Sequence, residues 1–593
     1  MRDAKHFARR GTAWAAVALA AACGGTAARV QTTHPDDFRH RVGIIADEYS
    51  AGYKAMFPGA EYFGQTRPGT DALPDNSLAA LAAWQGREDS WLSQLRGIDR
   101  EALWGTPEWT VSGYVLTTLE TSIATRACRS ELWTAHQYGW QTSLLEMLEI
   151  QPVGTQEARA QALARWSQLQ GFLETEIANL REGLRLGYSA PRKNVEIAIS
   201  QLEALLATKL TESQFGSPAK RDTDGSFQRQ WRDLIEAKMV PATRHYLTFL
   251  RDEYLPKART TIGISANPDG AACYRAQLGA YAAGDVTPTT LLQIGQEEVA
   301  KREAKTMALA RNVFGPELPD LKAAKSKMDT DSRNRMAGPS EVLAFVGDAI
   351  ARAREAAPRW FVRAPQAPLT VVPYSDAEAV SRPDARYQPP AKDGSRPARY
   401  RIDVTNPDSL KRAELEHTTF HEGIPGHHLQ MEIGKERPGA RGYGDIASLG
   451  AYIEGWARYA EGLADEMALY SSDLDRLGAF AHLPTGLVVD PGVHSMGWTR
   501  ERAIAYVMEK QLGLSPDAAA AYVDRIAVTP GQMVSYGAGE LAIRGLRARA
   551  EAELGARFDI RAFHEIVLSQ GAMPLPLLGE LVSRWIEDEK HGG

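Results

Sequence analysis

The sequence predicts a mainly α-helical protein with one small β-sheet, and three observations support that class. Apolar residues recur three and four apart over long stretches, the spacing of amphipathic helices. Strand-like runs are confined to one Pro-rich region, Pro365–Pro397, and its flanks. No repeat with a period of about 20–50 residues is present, which argues against a solenoid. At 44% hydrophobic and 24% charged residues, the chain is neither disordered nor fibrous.

The amino terminus stands apart. Arg2, Lys5, Arg9 and Arg10 precede an uncharged apolar stretch, Thr12–Ala22, too short for a permanent span of roughly 20 residues. Residues 1–23 therefore read as a secretory signal, with Ala20-Ala21-Ala22 before Cys23. Leu19–Gly24 resembles the acceptor site of a bacterial lipoprotein, so Cys23 is a candidate lipid anchor, and residues 24–35 follow as a linker. Export would allow Cys128 and Cys273 to pair, but their positions cannot show whether they meet, and the default reading is buried thiols.

Leu95, Leu103 and Trp104 open a region of helical spacing that runs into Val111–Leu119 and Leu144–Ile150, and long helices are expected through Ala158–Leu186, Val195–Leu210 and Trp231–Tyr254. Thr211–Gln228, with Gly216, Pro218 and Gly225, reads as an exposed loop, and Lys322–Arg335 as solvated surface. Leu369–Val372 and Tyr400–Val404 are the expected strands, and helices resume near Ser409. Composition excludes several functions. With 68 basic against 74 acidic residues no positive excess exists to neutralise phosphates, which argues against nucleic-acid binding. Cys 3 rules out a four-cysteine zinc site, and no glycine-rich phosphate loop joins a strand to a helix.

The chemistry is concentrated in Glu414–Gln430. His417, His421, His427 and His428 fall within twelve residues, and Glu422 directly follows His421. In His-Glu-x-x-His zinc hydrolases two imidazoles sit one helical turn apart while the glutamate faces the metal-bound water. Here the spacing is longer. On an ideal helix His428 returns to the His421 face but ~10 Å along the axis, too far for two imidazoles ~2.0–2.1 Å from one zinc. Pro425 cannot donate to the His421 carbonyl, so the helix must bulge or kink. A bulge at Pro425-Gly426 that absorbs two residues returns His427 to the ligand position. His421 and His427 are the preferred pair and His421 with His428 the alternative; the histidine left over would support a ligand or touch substrate. Glu454, 27 residues after His427, is the expected third ligand. Glu461, two turns on, is the alternative, or would orient a ligand histidine.

Phe420–Gln430, Ala451–Met467, Asp490–Trp498, Pro530–Tyr536 and Phe563–Glu565 together resemble the bacterial family catalogued as domain of unknown function 885, over most of the mature chain. That family is similar to helical zinc peptidases such as angiotensin-converting enzyme and the thermostable carboxypeptidases. The resemblance implies a large bilobed helical clamshell with the small sheet lining its cleft, and one zinc ion. Gly426-His427 with Gln430 is similar to the end of the converting-enzyme zinc helix, which supports His427. Similar peptidases supply a Tyr and a His from downstream segments to the oxyanion, which implies Tyr536 and His494 here.

Peptide hydrolysis then assigns Glu422 as the base that takes the proton of the metal-bound water and returns it to the leaving amine. Arg500 or Arg544 would clamp a substrate carboxylate, and the strand Tyr400–Val404 would pair with an extended peptide or be purely structural. By length alone the chain would hold roughly four domains. Candidate groups from His421 to Tyr536 need one cleft, so a single catalytic domain over 36–590 is expected. The expectation is an exported zinc peptidase, periplasmic or lipid-anchored, acting on short peptides, with carboxypeptidase and dipeptidase action both open. The alternatives are a metal-dependent amidase or esterase, and a catalytically silent peptide-binding lipoprotein.

Overall fold

The computed structural model describes residues 35–57, 71–210, 212–282, 286–365, 367–374, 385–390, 396–406, 410–435, 449–511 and 514–592. The signal segment, Cys23 and the linker lie outside the described residues.

Helices dominate, and their caps and apolar faces explain where they sit. Ser77 accepts the Ala80 N–H to start Leu78–Arg96, whose Trp84, Trp91 and Leu95 turn inward. Those side chains, with Val42 and Tyr49 from Pro35–Met56, share one core with Trp456, Ile543, Leu578 and Ile586 near the other end of the chain. A second core gathers Leu132–Leu291, and a third joins Val299–Met328 to Leu474–Ala527.

Three local expectations are corrected. Cys128 and Cys273 form a disulfide rather than standing as buried thiols. The turn after helix Pro107–Thr125 brings Cys128 against helix Gly270–Tyr281, with Cα atoms 4.5 Å apart, a proximity that no local pattern encodes. Thr211–Gln228 is not a plain exposed loop. Phe215 is buried, its carbonyl accepts the Trp231 indole N–H, and buried Asp222 takes two hydrogen bonds from Arg159. Within Lys322–Arg335, helix Leu321–Thr330 buries Ala324 and Met328 while Lys322 and Lys327 face outward, and buried Asn334 accepts the Ala413 N–H.

The sheet has three strands, β1 (Leu369–Pro373), β2 (Arg386–Gln388) and β3 (Ala398–Ile402), in the order β1-β3-β2. β3 runs parallel to β1, with Leu369 opposite Ala398, and antiparallel to β2, with Tyr387 opposite Tyr400. Both sides of β3 are thus occupied, so the strand through Tyr400 has no free edge for a peptide. The sheet packs on helix Pro339–Ala356 through Val342, Val346, Tyr400 and Ile402. Its β2 edge reaches the histidine segment.

Candidate metal centre

Helix Arg412–Glu422 presents His417 and His421 one turn apart, while Leu415 and Phe420 anchor its buried side. The expected bulge is a full break: the helix stops at Gly423, Ile424-Pro425 is a cis peptide, and a new helix runs His427–Lys435. Pro425 supplies no N–H, so the ladder restarts from His428 and Gln430, whose N–H groups reach the carbonyls of Gly423 and Gly426. The Trp456 indole donates to the Pro425 carbonyl at 2.9 Å and pins the turn. A Cβ on Gly426 would stand 1.9 Å from the His421 carbonyl oxygen, so only glycine fits there. The turn brings the His427 ring to 4.9 Å from that of His421, with planes 88° apart.

From the facing helix Gly450–Glu466, Glu454 Oε2 lies 3.5 Å from His421 Nε2 and 3.7 Å from His427 Nε2. Donor atoms held ~2.0–2.1 Å from a tetrahedral zinc are separated by ~3.3–3.4 Å. Two imidazoles and one carboxylate at this spacing fit such an ion, and all three donor atoms lie within 4.8 Å of one another. Glu461 Oε1 sits 2.8 Å from His421 Nδ1, which fixes a proton there and leaves Nε2 as the nitrogen that faces Glu454. Gln430 Oε1 faces His427 Nδ1 at 3.4 Å in the same way. Burial pushes the His421 imidazole down, but its bonds to Glu454 and Glu461 and the Glu422 charge outweigh burial and raise it to about 10. For Glu454 burial acts upward, and the two histidines still hold its carboxyl well below the usual range. The site is thus a focus of negative potential matched to a cation.

The remaining expected residues divide. Glu422 Oε2 accepts the Tyr387 N–H of β2 at 2.6 Å, beside His421 in sequence and charge. Tyr536 opens helix Val534–Leu554, close enough for the Glu454 charge to act on it; burial first, then that charge, push its hydroxyl up. His428 is no ligand. It is fully buried, with Nδ1 3.2 Å from the Tyr387 hydroxyl and Nε2 3.1 Å from the Ala367 carbonyl, so it braces the sheet and is closed to substrate. His494 is likewise spoken for: Nδ1 accepts the Ile264 N–H, Nε2 donates to the Ile526 carbonyl, and burial holds the ring down to about 3. No N–H remains on it for an oxyanion. Arg500 makes a bidentate pair with Asp524, in a cavity lined also by Arg192, Thr261 and Trp498. Arg544 pairs with Glu540. Neither arginine stands ready for a substrate carboxylate.

A second group was not anticipated. His417 Nδ1 and His482 Nδ1 lie 3.8 and 3.7 Å from Glu461 Oε2, and the three residues match the donor set of the first group. Arg458 occupies it: Nη1 donates to Glu461 Oε2 at 2.6 Å and contacts His482 Nδ1, and Nη2 donates to the His482 carbonyl. The sequence signal for His417 was its position four residues before His421; His482 carried none.

Among the described residues no helix is long and apolar enough to cross a membrane. No curated protein matches the chain. A candidate lipoprotein of Colwellia psychrerythraea has a similar solved structure, with TM-score 0.83 and 21% identity over 93% of this chain and 99% of that one. A candidate lipoprotein of unknown function from Shewanella oneidensis gives 0.75 and 16%, over 91% and 99%. Both likenesses speak for the fold. Residues 59–582 match the family described as bacterial protein of unknown function, DUF885, and the chain belongs to that family.

Proposed function

We propose that this protein is an exported zinc peptidase that hydrolyses short peptides in a helical cleft, as the resemblance to helical zinc peptidases implies. One observation carries the reading: the Nε2 atoms of His421 and His427 converge on the Glu454 carboxylate, with Glu422 next to the first of them. A zinc ion held by these three residues would polarise a scissile carbonyl and lower the pKa of water towards ~7.

The chain's own groups supply the rest. Glu422 is held through Oε2 by the Tyr387 N–H, which leaves Oε1 to take the proton of the attacking water and hand it to the leaving amine. Tyr536 keeps its O–H at neutral pH because burial and the Glu454 charge oppose its ionisation, so it remains a donor for the tetrahedral oxyanion. Glu461 keeps the His421 ring in one tautomer and one orientation. Export is supported by the Cys128–Cys273 disulfide, which persists in oxidising compartments, and by the description of both structural neighbours as candidate lipoproteins.

The test is metal content together with cleavage of a peptide library by the purified protein and by Glu422→Gln. One equivalent of zinc, with cleavage lost in the variant, is the expected result. Zinc without cleavage of any peptide would favour an amidase or a binding protein, and a protein that takes up no metal would overturn the site.

A further inference from the structure

Resting on the peptidase reading above, we infer that Arg386 and Arg399 form a subsite for an acidic side chain of the substrate, so that this protein selects peptides carrying Asp or Glu. Burial alternates along β3: Ala398, Tyr400 and Ile402 face the core, while Arg399 and Arg401 face out. Arg386 of β2 stands directly opposite Arg401, and Gln388 opposite Arg399, so the three arginines share the outer face of the sheet. Directly opposed residues hold their Cβ atoms ~4.5–5.5 Å apart and diagonal ones ~7–8 Å, within reach of long side chains. Like charges so placed cost stability unless an anion joins them.

Other arginines on the elements packed around the sheet are matched by acids: Arg352 by Glu416, Arg363 by Glu565 and Arg412 by Asp475. Arg386 is exposed and Arg399 half-buried, and neither has a hydrogen bond or ion pair among the described residues. Arg401 lies over the Tyr374 ring, 4.7 Å from its centroid, and Arg396 donates to the Pro389 carbonyl just beyond β2, adding a further cation at this end of the sheet. A hydrogen bond places the pair beside the proposed base. The Tyr387 N–H donates to Glu422 Oε2 at 2.6 Å, and its nitrogen is two covalent bonds from the Arg386 Cα, which puts that Cα within ~5.5 Å of the carboxylate oxygen. An extended peptide advances ~3.3–3.6 Å per residue, so a side chain one or two residues from the scissile bond passes over β2 onto the outer face. There the forked guanidinium groups match a carboxylate. The rival role, arginines that only guard an edge strand against pairing with other chains, is indifferent to substrate charge.

Ala-Glu-Ala-Ala and Ala-Gln-Ala-Ala, each acetylated and amidated, separate these roles and keep terminal charges out of the measurement. Affinities are measured by calorimetry on zinc-loaded, full-length Glu422→Gln protein, and kcat/KM on the same sequences with free termini and Glu422 intact. The Glu peptide is expected to bind ~5–30-fold more tightly at low ionic strength, with the difference shrinking as salt is added. Arg386→Gln with Arg399→Gln should bring the two affinities together without lowering the circular dichroism melt. Arg386→Lys with Arg399→Lys should keep part of the preference, and Arg386→Glu with Arg399→Glu should turn it towards Ala-Lys-Ala-Ala. Should the double glutamine variant not fold, Arg386→Gln alone reads the same loss at an exposed position. No preference in the parent, a preference that survives the glutamine variants, or equal losses on both peptides would overturn the assignment. So would binding of phosphatidylglycerol vesicles through the two arginines with no peptide preference. An arginine-dependent preference in a protein that cleaves neither peptide would sustain the acidic subsite and overturn the peptidase reading instead; cleavage of both at equal kcat/KM would do the reverse.

Discussion

The two histidine–glutamate groups differ less in their donors than in what already neutralises them. His421, His427 and Glu454 gather two imidazoles and a carboxylate with no arginine or lysine on Glu454 among the described residues. His417, His482 and Glu461 gather the same set a few ångströms away, but Arg458 sits among them. A guanidinium on the carboxylate supplies the positive charge that a metal would bring, and it takes the lone pair of His482. Glu461 belongs to both groups, with Oε1 on His421 and Oε2 on Arg458. Donor identity and spacing therefore do not define a metal site by themselves; the local charge decides, and here one group reads as the centre and the other as its support.

The contrast is sharpest at Glu422, which borders only the first group. Glu422→Gln is expected to lower kcat by ~10²–10⁴-fold with zinc content unchanged, measured by turnover and elemental analysis. Metal lost together with activity would mean that Glu422 is structural. Arg458→Leu attacks the difference directly. It should destabilise the protein by about 3–5 kcal/mol in denaturant unfolding, because Glu461 keeps a buried charge. Excess zinc should then recover part of that loss and raise the bound metal to a second equivalent through His417, His482 and Glu461. A variant that still binds one equivalent would show that the second group cannot hold a cation even when vacated. Glu461→Gln keeps the shape but weakens the support, and zinc affinity should fall by ~10–100-fold in competition with a chelator.

The smallest effect lies away from both groups. Asp490 is buried, accepts the Tyr274 hydroxyl and the Gly531 N–H, and is pushed up to about 7 by burial, against the lowering effect of those two hydrogen bonds. Its folded pKa is raised, so the folded state binds more protons than the unfolded one between about pH 4 and 7. The stability this group contributes is full below about pH 4 and is lost as pH rises through about 7. Asp490→Asn keeps an acceptor for both partners. It should flatten that slope and leave the protein at least as stable at pH 8, read as thermal midpoints across the range; an unchanged slope would assign it to other groups.

The sequence carried the grouping of His421, His427 and Glu454 better than the way they meet. That these three candidate donors come together was legible because metal donors must converge and Pro425 limits how. The break at Gly423 was not, since a bulge and a restart satisfy the same missing N–H. His494 misled for a different reason: a residue type says nothing about whether backbone groups, here Ile264 N–H and Ile526 C=O, already use both ring nitrogens. Arg500 and Arg544 failed likewise, because their partners Asp524 and Glu540 are one line among 74 acidic residues until the chain is folded. Helices and strands were read well where periodicity was long. The segment 211–228 was missed because its few apolar residues, Phe215 above all, bury without any repeat.

The core shared by the two ends of the chain sets the order in which this molecule can be finished. Val42, Trp84 and Trp91 emerge early during synthesis, yet other members of the same core, Leu578 and Ile586 among them, emerge last. Contacts between such distant positions close slowly and leave apolar surface bare meanwhile. The core that the amino-terminal helices begin is therefore complete only when the last helix of the chain arrives.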